Sequence, residues 1–368
     1  MKRKKILFHI NSMGKGGAER VVSVLSGCFA EDGYEVTIVT LWQAGEEYEL
    51  AGAVKRINIE DLWQGRHMGR LEIALRRLLD LRRIIKEEKP DLVISFCNKA
   101  NFRCAYAMYG MTIPLLVSVR NDPRVDYLPH KTSVKRMEKK ASGCVFQTAD
   151  AKSCFGRRLQ EKSRIIRNPV DERYLGAGSG QEKPVRKHEI ITVGRLSSQK
   201  NQQLLLKAFH RIRGRFPDYV VKLYGEESEP GSREALLAYV KEQGMDGQVQ
   251  FMGQSSHLEE EIRDAALFVL PSNYEGMPNA LMEAMVLGLP VIATDCPCGG
   301  PAELIEEEVS GMLVPVGDIE GLAAAMERVL ADWELAEHLG RNAGKLAEKV
   351  SPRKVYEEWK HYAEELMK

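Results

Sequence analysis

The chain has 368 residues, 44% of them hydrophobic, and a formal net charge of +1. At about 100–200 residues per domain this length predicts two domains, and the apolar fraction is typical of a globular protein with substantial cores. No stretch approaches the ~18 apolar residues of a membrane-spanning helix. The apolar run 6–10 is too short for a signal peptide. Seven irregularly spaced cysteines without a CxxC pair indicate neither a disulfide framework nor a zinc site, so we expect a cytoplasmic protein.

The two halves of the chain carry opposite charge. Residues 1–170 contain 31 Lys and Arg against 19 Asp and Glu, whereas residues 171–368 contain 22 against 33. Ordinary solvation of two surfaces explains this difference. A basic first half that faces an anionic membrane or a lipid-linked phosphate explains it equally well.

The first half alternates apolar strands with helices. Strand 5–10, the Gly-rich loop GKGGAER and an apolar-periodic helix form the usual opening of an α/β layer fold. Glu19 stands where GxGxxG requires its third glycine, and no GxxxxGK[ST] is present, so nicotinamide binding is only weakly supported. Three polar residues are predicted at the carboxyl ends of later strands, where open α/β sheets bind ligands: Asn98, Arg120 and Asn121.

Two segments of the first half are strongly basic. Residues 70–88 predict a helix with Leu71, Leu75, Leu78, Leu81 and Ile85 turned inward and arginines outward. This pattern indicates a surface helix of the domain or a basic amphipathic face that meets anionic lipid. Residues 124–141 are also basic but lack interleaved aromatic residues, which argues against single-stranded nucleic acid as a partner.

The strand–helix pattern restarts after the small, polar and charged segment 177–187, which predicts a linker. We therefore expect two α/β domains, residues 1–175 and residues 176–351, each with a doubly wound parallel sheet. The amphipathic segment 352–368 is expected to pack back on the first domain and complete it.

Two loops of the second half carry candidate binding residues. Arg195 and Lys200 lie five apart in GRLSSQKN, where an Arg fork and a Lys point charge suit a diphosphate. Glu275 lies in a loop, Glu283 follows eight residues later, and the backbone N–H groups of residues 276–279 open a helix. Two carboxylates beside an anion cradle suit a nucleotide sugar, with hydroxyls at both ends and phosphate between. Each pair alone also occurs by chance on solvated loops.

The combination is more specific than its parts: GRLSSQKN, YGEE, VQFMG, YEGMPNALMEAMVLGLPVIATD and GGPAELI. Together these motifs resemble the retaining glycosyltransferases of group 1, or family 4, which have a GT-B fold. The resemblance covers nearly the whole chain and is most specific over residues 270–317. It implies two Rossmann-like domains facing a central cleft, with the donor held mainly by the second domain and the acceptor by the first. It also implies no metal or other cofactor.

The resemblance further implies roles for individual residues. Arg195 and Lys200 would hold the donor diphosphate and neutralise charge on the leaving group, Glu275 would bind the transferred sugar, and Glu283 would bind the ribose. The catalytic set would thus be Arg195, Lys200 and Glu275. The remaining donor-binding residues would be Gly16, Gly17, Glu226, Phe251, Met252, Gly276, Met277, Pro278 and Asn279.

On the acceptor side, the resemblance implies roles for Asn98, Arg120 and Asn121. Many relatives carry a sugar-contacting His at a first-domain strand end, where this sequence has Arg120 and Asn121. His9 lies within the first strand and is expected to be a core or cleft-edge residue rather than a catalytic one.

The activity implied is transfer of a sugar, with retention, from UDP-hexose or UDP-N-acetylhexosamine to a glycan acceptor. The expected acceptor is linked to polyprenyl diphosphate, in surface polysaccharide or glycan assembly at the inner face of the cytoplasmic membrane. Two alternatives stay open: a nucleotide-sugar epimerase of similar two-domain fold, and a non-catalytic scaffold that binds sugar nucleotides or membranes. The E-x7-E context and the GGPAE loop favour transfer.

Overall fold

The computed structural model describes residues 3–63, 69–178 and 185–368. Within these ranges the chain divides into two compact units, Met1–Pro169 with Pro352–Lys368, and Val170–Ser351. The sequence placed this boundary after residue 175, and most of the predicted linker, residues 179–184, lies outside the described residues. No helix in the described ranges has the length and apolar character needed to cross a membrane.

The N-terminal unit contains a seven-stranded sheet whose paired strands are all parallel, in the order β3-β2-β1-β4-β5-β6-β7. Its strands are β1 (Lys5–His9), β2 (Glu35–Thr40), β3 (Lys55–Asn58), β4 (Leu92–Phe96), β5 (Leu115–Ser118), β6 (Gly143–Phe146) and β7 (Ser163–Ile165). The central strands β1, β4, β5 and β6 are almost fully buried, as expected for a sheet covered on both faces. The strand order reverses between β1 and β4, which defines the switch point of this sheet.

The helices of the N-terminal unit connect these parallel strands. They are α1 (Gly17–Glu31), α2 (Arg70–Glu88), α3 (Asn98–Ala107), α4 (Pro123–Asp126), α5 (Lys131–Lys140), α6 (Ala149–Ser153) and α7 (Arg157–Glu161). Short 3₁₀ turns cover Glu60–Trp63 and Leu128–His130.

The C-terminal unit repeats this architecture with a six-stranded parallel sheet, in the order β10-β9-β8-β11-β12-β13. Its strands are β8 (Lys187–Val193), β9 (Val220–Tyr224), β10 (Val249–Gly253), β11 (Ala265–Leu270), β12 (Val291–Thr294) and β13 (Met312–Val314). Its helices are α8 (Glu172–Gly178), α9 (Gln202–Ile212), α10 (Ser232–Glu242), α11 (Leu258–Ile262), α12 (Asn279–Val286), α13 (Gly300–Leu304), α14 (Ile319–Ala331), α15 (Trp333–Gly344) and α16 (Ala347–Val350). The prediction of two doubly wound parallel sheets is therefore confirmed.

The last helix, α17 (Pro352–Leu366), belongs to the N-terminal unit although it follows the C-terminal unit in the chain. Its Trp359 is fully buried and stacks on Phe96 of β4, with the ring centroids 5.5 Å apart. Tyr356 meets Phe29 of α1 edge-on at 4.9 Å. These large rings bury much apolar surface, which is the main source of their stabilisation, so α17 is an integral part of the first core.

The prediction of which residues face inward on the helix over residues 70–88 is wrong at the N-terminal end of this helix. Leu81 and Ile85 are buried, but Leu71 and Leu75 are 89% and 56% exposed. Leucines and isoleucines together occur on most sides of α2, and only the side that covers the sheet is buried. The N-terminal half of α2 therefore presents apolar side chains to the outside of its unit.

Candidate active site

The predicted donor residues of the C-terminal unit lie around the switch point of its sheet, between β8 and β11. Loop 194–201 follows β8 and loop 271–278 follows β11, so both leave the carboxyl edge of the sheet side by side. Backbone and side-chain hydrogen bonds join the two loops. The N–H of Asn273 donates to the carbonyl of Gln199 at 2.8 Å, and the Asn273 amide donates to the carbonyl of Ser198 at 2.7 Å.

Lys200 and Glu275 form an ion pair across these loops. Lys200 Nζ lies 2.6 Å from Glu275 Oε1, and Ser272 Oγ donates to the same oxygen at 2.7 Å. The side chains of Lys200 and Glu275 are only 17% and 7% exposed. A buried carboxylate needs such partners, since an isolated buried charge is costly. A carboxylate has two acceptor oxygens, and Lys200 and Ser272 both contact Oε1, so Glu275 keeps acceptor capacity for ligand hydroxyls.

The glycine-rich turn after β12 holds the Glu275 loop in place. The N–H of Glu275 donates to the carbonyl of Pro297 at 2.6 Å, and the N–H of Cys298 donates to the carbonyl of Glu275 at 2.9 Å. A Cβ atom on Gly300 would overlap the carbonyl oxygen of Gly276 and lie 2.8 Å from its carbonyl carbon. Only glycine fits there, which gives the GGPAE motif a structural reason.

Helix α12 begins directly after this loop, at Asn279, with Pro278 as its N-cap residue. Met277 is buried beneath the loop, and Glu283, one turn after Asn279, is 6% exposed. The predicted cradle of residues 276–279 is thus a backbone segment at a helix N-terminus, next to two buried carboxylates. Such a segment favours an anion.

Arg195 occupies a different position from Lys200, although both belong to loop 194–201. Its side chain is exposed, and its backbone carbonyl accepts a hydrogen bond of 2.9 Å from the side-chain amide of Gln202. The structure therefore brings Lys200 to Glu275 but leaves the Arg195 guanidinium at the surface of the unit. The predicted diphosphate contact of Arg195 stays a prediction.

An open cavity of about 440 Å³ lies beside loop 194–201, at the carboxyl ends of β9 and β10. It is lined by Leu196, Glu226, Phe251 and Met252, so the structure brings three of the predicted donor-binding residues together. The guanidinium of Arg233 lies 5.5 Å from the ring of Phe251, within cation–π range. Arg233 was not predicted, because its place on α10 does not reveal from the sequence that it reaches β10.

In the N-terminal unit, Asn98, Arg120 and Asn121 lie at the carboxyl ends of β4 and β5. The Asn98 amide donates to the carbonyl of Asp126 at 3.0 Å, and the side chain of Asn121 hydrogen-bonds the Asp126 carboxyl. Burial raises the pKa of Asp126 above its ordinary value despite that bond. Asp126 thus links two of the three predicted acceptor-side residues.

Arg120 is held on two sides. Its Nη2 donates to Asn168 Oδ1 at 2.6 Å, and its guanidinium lies 5.2 Å from the ring of Phe96. Burial lowers the pKa of Arg120 to about 10, so the side chain stays charged at neutral pH. A desolvated guanidinium at a strand end is suited to binding an anion.

Gly16 and Gly17 open helix α1, with Gly16 as its N-cap residue in an extended conformation. They lie after the carboxyl end of β1, at the switch point of the first sheet. Their contact with the donor stays a prediction.

Arg103 of α3 is a candidate that sequence reasoning missed. Its Nη1 donates to His9 Nε2 at 2.9 Å and to Asn11 Oδ1 at 3.1 Å, at the end of β1. His9 is fully buried, and its Nδ1 donates to the carbonyl of Val39 at 2.8 Å. Burial, and then the charge of Arg103, lower the pKa of His9 to about 3. His9 is therefore a neutral residue that positions Arg103.

Two family models match successive parts of the chain. The model described as "Glycosyltransferase Family 4" matches residues 15–174, and "Glycosyl transferases group 1" matches residues 179–346. The chain belongs to the group 1 glycosyltransferases. It is an enzyme of the hexosyltransferase type, and its two parallel sheets form a GT-B fold.

Two Campylobacter jejuni proteins are similar to this glycosyltransferase over most of its length. The first is a GalNAc-alpha-(1->4)-GalNAc-alpha-(1->3)-diNAcBac-PP-undecaprenol alpha-1,4-N-acetyl-D-galactosaminyltransferase, 28% identical over 96% of this chain and 97% of the relative. The second is an N-acetylgalactosamine-N,N'-diacetylbacillosaminyl-diphospho-undecaprenol 4-alpha-N-acetylgalactosaminyltransferase, 24% identical over 90% of this chain and 92% of the relative.

Solved structures agree with this glycosyltransferase in fold. HepE of Anabaena, in complex with UDP and glucose, superimposes with a TM-score of 0.82 at 19% identity, covering 98% of this chain and 99% of the other. At this level of identity the likeness shows the fold alone.

Proposed function

We propose that this glycosyltransferase moves a hexose or N-acetylhexosamine from its UDP derivative, with retention, to a glycan acceptor linked to polyprenyl diphosphate. The observation that carries the donor side is the buried Lys200–Glu275 pair at the switch point of the second sheet. The loop of Glu275, the loop of Lys200 and the open cavity follow one another along the carboxyl edge of this sheet, which supports a donor with its sugar, diphosphate and nucleoside in that order.

The donor would extend along this edge with its nucleoside in the cavity beside Phe251 and its sugar at Glu275. Glu283 would accept hydrogen bonds from the ribose, and Lys200 and Arg195 would contact the diphosphate. A metal ion is not needed if these two cations neutralise the leaving group. We therefore propose that the enzyme is independent of divalent metal, and that EDTA leaves its rate unchanged. A rate that falls with EDTA and returns with Mg²⁺ would contradict this part of the proposal.

Retention is proposed to occur by front-face attack. The acceptor hydroxyl oxygen forms the new bond to the anomeric carbon while the bond from that carbon to the diphosphate oxygen breaks. The hydroxyl proton passes to the departing phosphate oxygen, so no side-chain base is required. The protein would contribute position and charge, which commonly supply most of the rate enhancement in such sites. Glu275 would bind hydroxyls rather than act as the base of a hydrolase pair.

The names of two relatives support the proposed acceptor, and the ligands of one solved structure support the proposed donor. HepE was solved with UDP and glucose. The two Campylobacter jejuni relatives are named for undecaprenyl-diphosphate-linked acceptors and for alpha linkages, which agree with retention from an α-linked donor. We extend this to a role in surface polysaccharide or glycan assembly, with the protein peripheral on the inner face of the cytoplasmic membrane. The basic first half of the chain supports the membrane part.

The decisive experiment combines a panel of nucleotide sugars with a lipid-linked glycan acceptor in detergent. We expect one UDP-sugar to raise the melting temperature by mass action and to give a product with an axial, retained linkage by NMR. Rapid epimerisation of the UDP-sugar without acceptor, with no transfer when acceptor is added, would overturn the proposal. So would inversion at the anomeric carbon.

A further inference from the structure

Helix α2 carries an unusual row of exposed leucines. Leu71, Leu75 and Leu79 are 89%, 56% and 54% exposed, and their spacing of four residues places them on one side of the helix. Each is among the large hydrophobic residues that the described structure leaves open to solvent. A row of three on one helix is more than the scattered single leucines that any protein surface shows.

Basic residues continue this row toward the C-terminal end of α2. Leu79 lines an open cavity of about 400 Å³ together with Arg82, Arg83, Lys86 and Glu87. Arg82 is fixed, since its Nη1 donates to the carbonyl of Tyr109 at 2.8 Å. Arg83 is 53% exposed although it pairs with Asp80. The cavity thus combines one leucine with three basic residues and one acidic residue.

Tyr109 joins α2 to a second basic helix. Its side chain is 69% exposed, and the guanidinium of Arg136 on α5 lies 5.4 Å from its ring. Helix α3 packs against both α2 and α5, so the two basic helices flank it. The exposed cations of α5 are Lys131, Lys135, Arg136 and Lys139.

We propose that these residues form a docking surface for an anionic lipid bilayer. The α2–α5 surface consists of Leu71, Leu75, Leu79, Tyr109 and the exposed basic residues of α2 and α5. This surface places leucines beside arginines and lysines, with an aromatic ring between them. The same combination is typical of helices that lie in the membrane interface. Leucines enter the acyl boundary, and the cations meet headgroup phosphates.

The charge of this surface decides between a bilayer and a second copy of the chain. Helix α2 carries six basic and four acidic residues, and α5 carries five basic and one acidic residue. A two-fold dimer through this surface would place each basic patch against its own copy or near it, where like charges repel. An anionic bilayer offers the complementary charge. The inference rests on the proposed lipid-linked acceptor for its purpose, but it is tested without any acceptor.

The test is flotation of the full chain with vesicles of equimolar phosphatidylglycerol and phosphatidylcholine, against vesicles of phosphatidylcholine alone. We expect binding to the anionic vesicles that weakens steeply at about 0.5 M salt. Leu71→Ser/Leu75→Ser/Leu79→Ser should weaken partitioning by about tenfold or more, since three buried leucines are lost. Lys86→Gln/Lys135→Gln/Lys139→Gln should weaken it by a similar factor on anionic vesicles.

A matched control lies on α10 of the C-terminal unit, where Leu237 is 38% exposed and Lys241 is also exposed. Leu237→Ser/Lys241→Gln should bind vesicles as the unaltered chain does. Circular dichroism and the thermal shift with UDP verify that each variant is folded. Equal flotation of all variants, or no flotation of the unaltered chain, overturns the inference. A leucine variant that turns a dimer into a monomer, with lipid binding unchanged, assigns the surface to a second copy and also overturns it.

The outcome is separate from that of the proposed function. Transfer to a detergent-solubilised acceptor does not require a bilayer. Loss of vesicle binding with intact transfer contradicts only the docking surface, and intact vesicle binding without transfer contradicts only the proposed reaction.

Discussion

Lys200 donates to Glu275 across 2.6 Å, which adds a buried ion pair to the hydrogen bonds between the loop after β8 and the loop after β11. The sequence assigned the two residues to different parts of the donor, the diphosphate and the sugar. Their direct pairing means that each fixes the position of the other. A donor whose diphosphate and sugar meet at this pair would therefore contact both partners at once.

Removing one member of this pair should cost both stability and rate. Lys200→Met or Glu275→Gln should each lower the free energy of unfolding by up to about 3–5 kcal/mol, because breaking a buried pair leaves a polar partner uncompensated. The rate constant for transfer should fall by about 10²–10³ for Lys200→Met, as is typical when one stabilising donor is lost. Urea unfolding and transfer kinetics measure the two effects.

The double variant and a surface pair serve as controls for that prediction. Lys200→Met/Glu275→Gln should be less destabilised than the sum of the single variants, since the residues are in contact. The Arg328–Glu308 pair is about half exposed on both sides, so Arg328→Met should change stability by no more than about 1 kcal/mol. If the loss of stability in the double variant equalled the sum of the losses in the two single variants, the coupling between Lys200 and Glu275 would be contradicted.

Gly300→Ala should destabilise the C-terminal unit. The added methyl group would meet the Gly276 backbone, so the Glu275 loop or α13 must shift, at a cost of about 1–3 kcal/mol for overpacking. Gly247 has open space around its Cβ position, and Gly247→Ala is the matched control with little expected effect. Thermal unfolding measures both, and equal melting temperatures would show that the Gly276–Gly300 contact is not tight.

Stability of the N-terminal unit should depend on pH through His9. Its pKa is lowered to about 3 in the folded chain, against about 6.5 when unfolded. Below pH 6.5 the unfolded chain therefore binds a proton that the folded chain does not, and stability falls as the pH decreases from 6.5 toward 3. His9→Gln should reduce this slope in urea unfolding at stepwise pH. His257 is exposed, and His257→Gln should leave the slope unchanged, while an unaltered slope in His9→Gln would contradict the prediction.

Arg233 and Phe251 should contribute to UDP binding, because they form one wall of the cavity beside loop 194–201. Phe251→Ala should raise the Kd for UDP by about 2- to 10-fold, the usual range for loss of one stacking partner. Arg233→Gln should have a smaller effect in the same direction. Arg211→Gln, on the exposed side of α9, is the control for isothermal titration. An unchanged Kd in Phe251→Ala would place the nucleoside elsewhere.

The fold could be predicted from the sequence where the apolar pattern was long or strict. The predicted helix over residues 70–88 agrees with α2 at both ends, and the predicted strand 5–10 agrees with β1 to within one residue. The short edge strands Lys55–Asn58 and Ser163–Ile165 were missed, because an edge strand needs few apolar residues. Leu71 and Leu75 of α2 were predicted to face inward, since a helix with leucines and isoleucines on most sides does not indicate which side meets the sheet.

The site was predictable in outline but not in its contacts. Parallel strands and a switch point bring the loops after β8 and β11 together in any such sheet, so the proximity of Lys200 and Glu275 could be expected from the sequence. Phe251 and Met252 of β10 were predicted only from the family resemblance. Contacts between residues far apart in the chain depend on the packing of whole elements. Arg103 meets His9 across 94 positions of sequence, and no local pattern around either residue indicates that contact.

The position of α17 has a consequence for the order in which the chain can fold during synthesis. The first core contains Trp359 against Phe96 and Tyr356 against Phe29, and the hydroxyl of Tyr362 accepts from the N–H of Cys144 at 3.1 Å. The ribosome synthesises these three aromatic residues of α17 only after the whole C-terminal unit. The C-terminal unit can therefore complete its core while the N-terminal unit, although made first, still lacks part of its own.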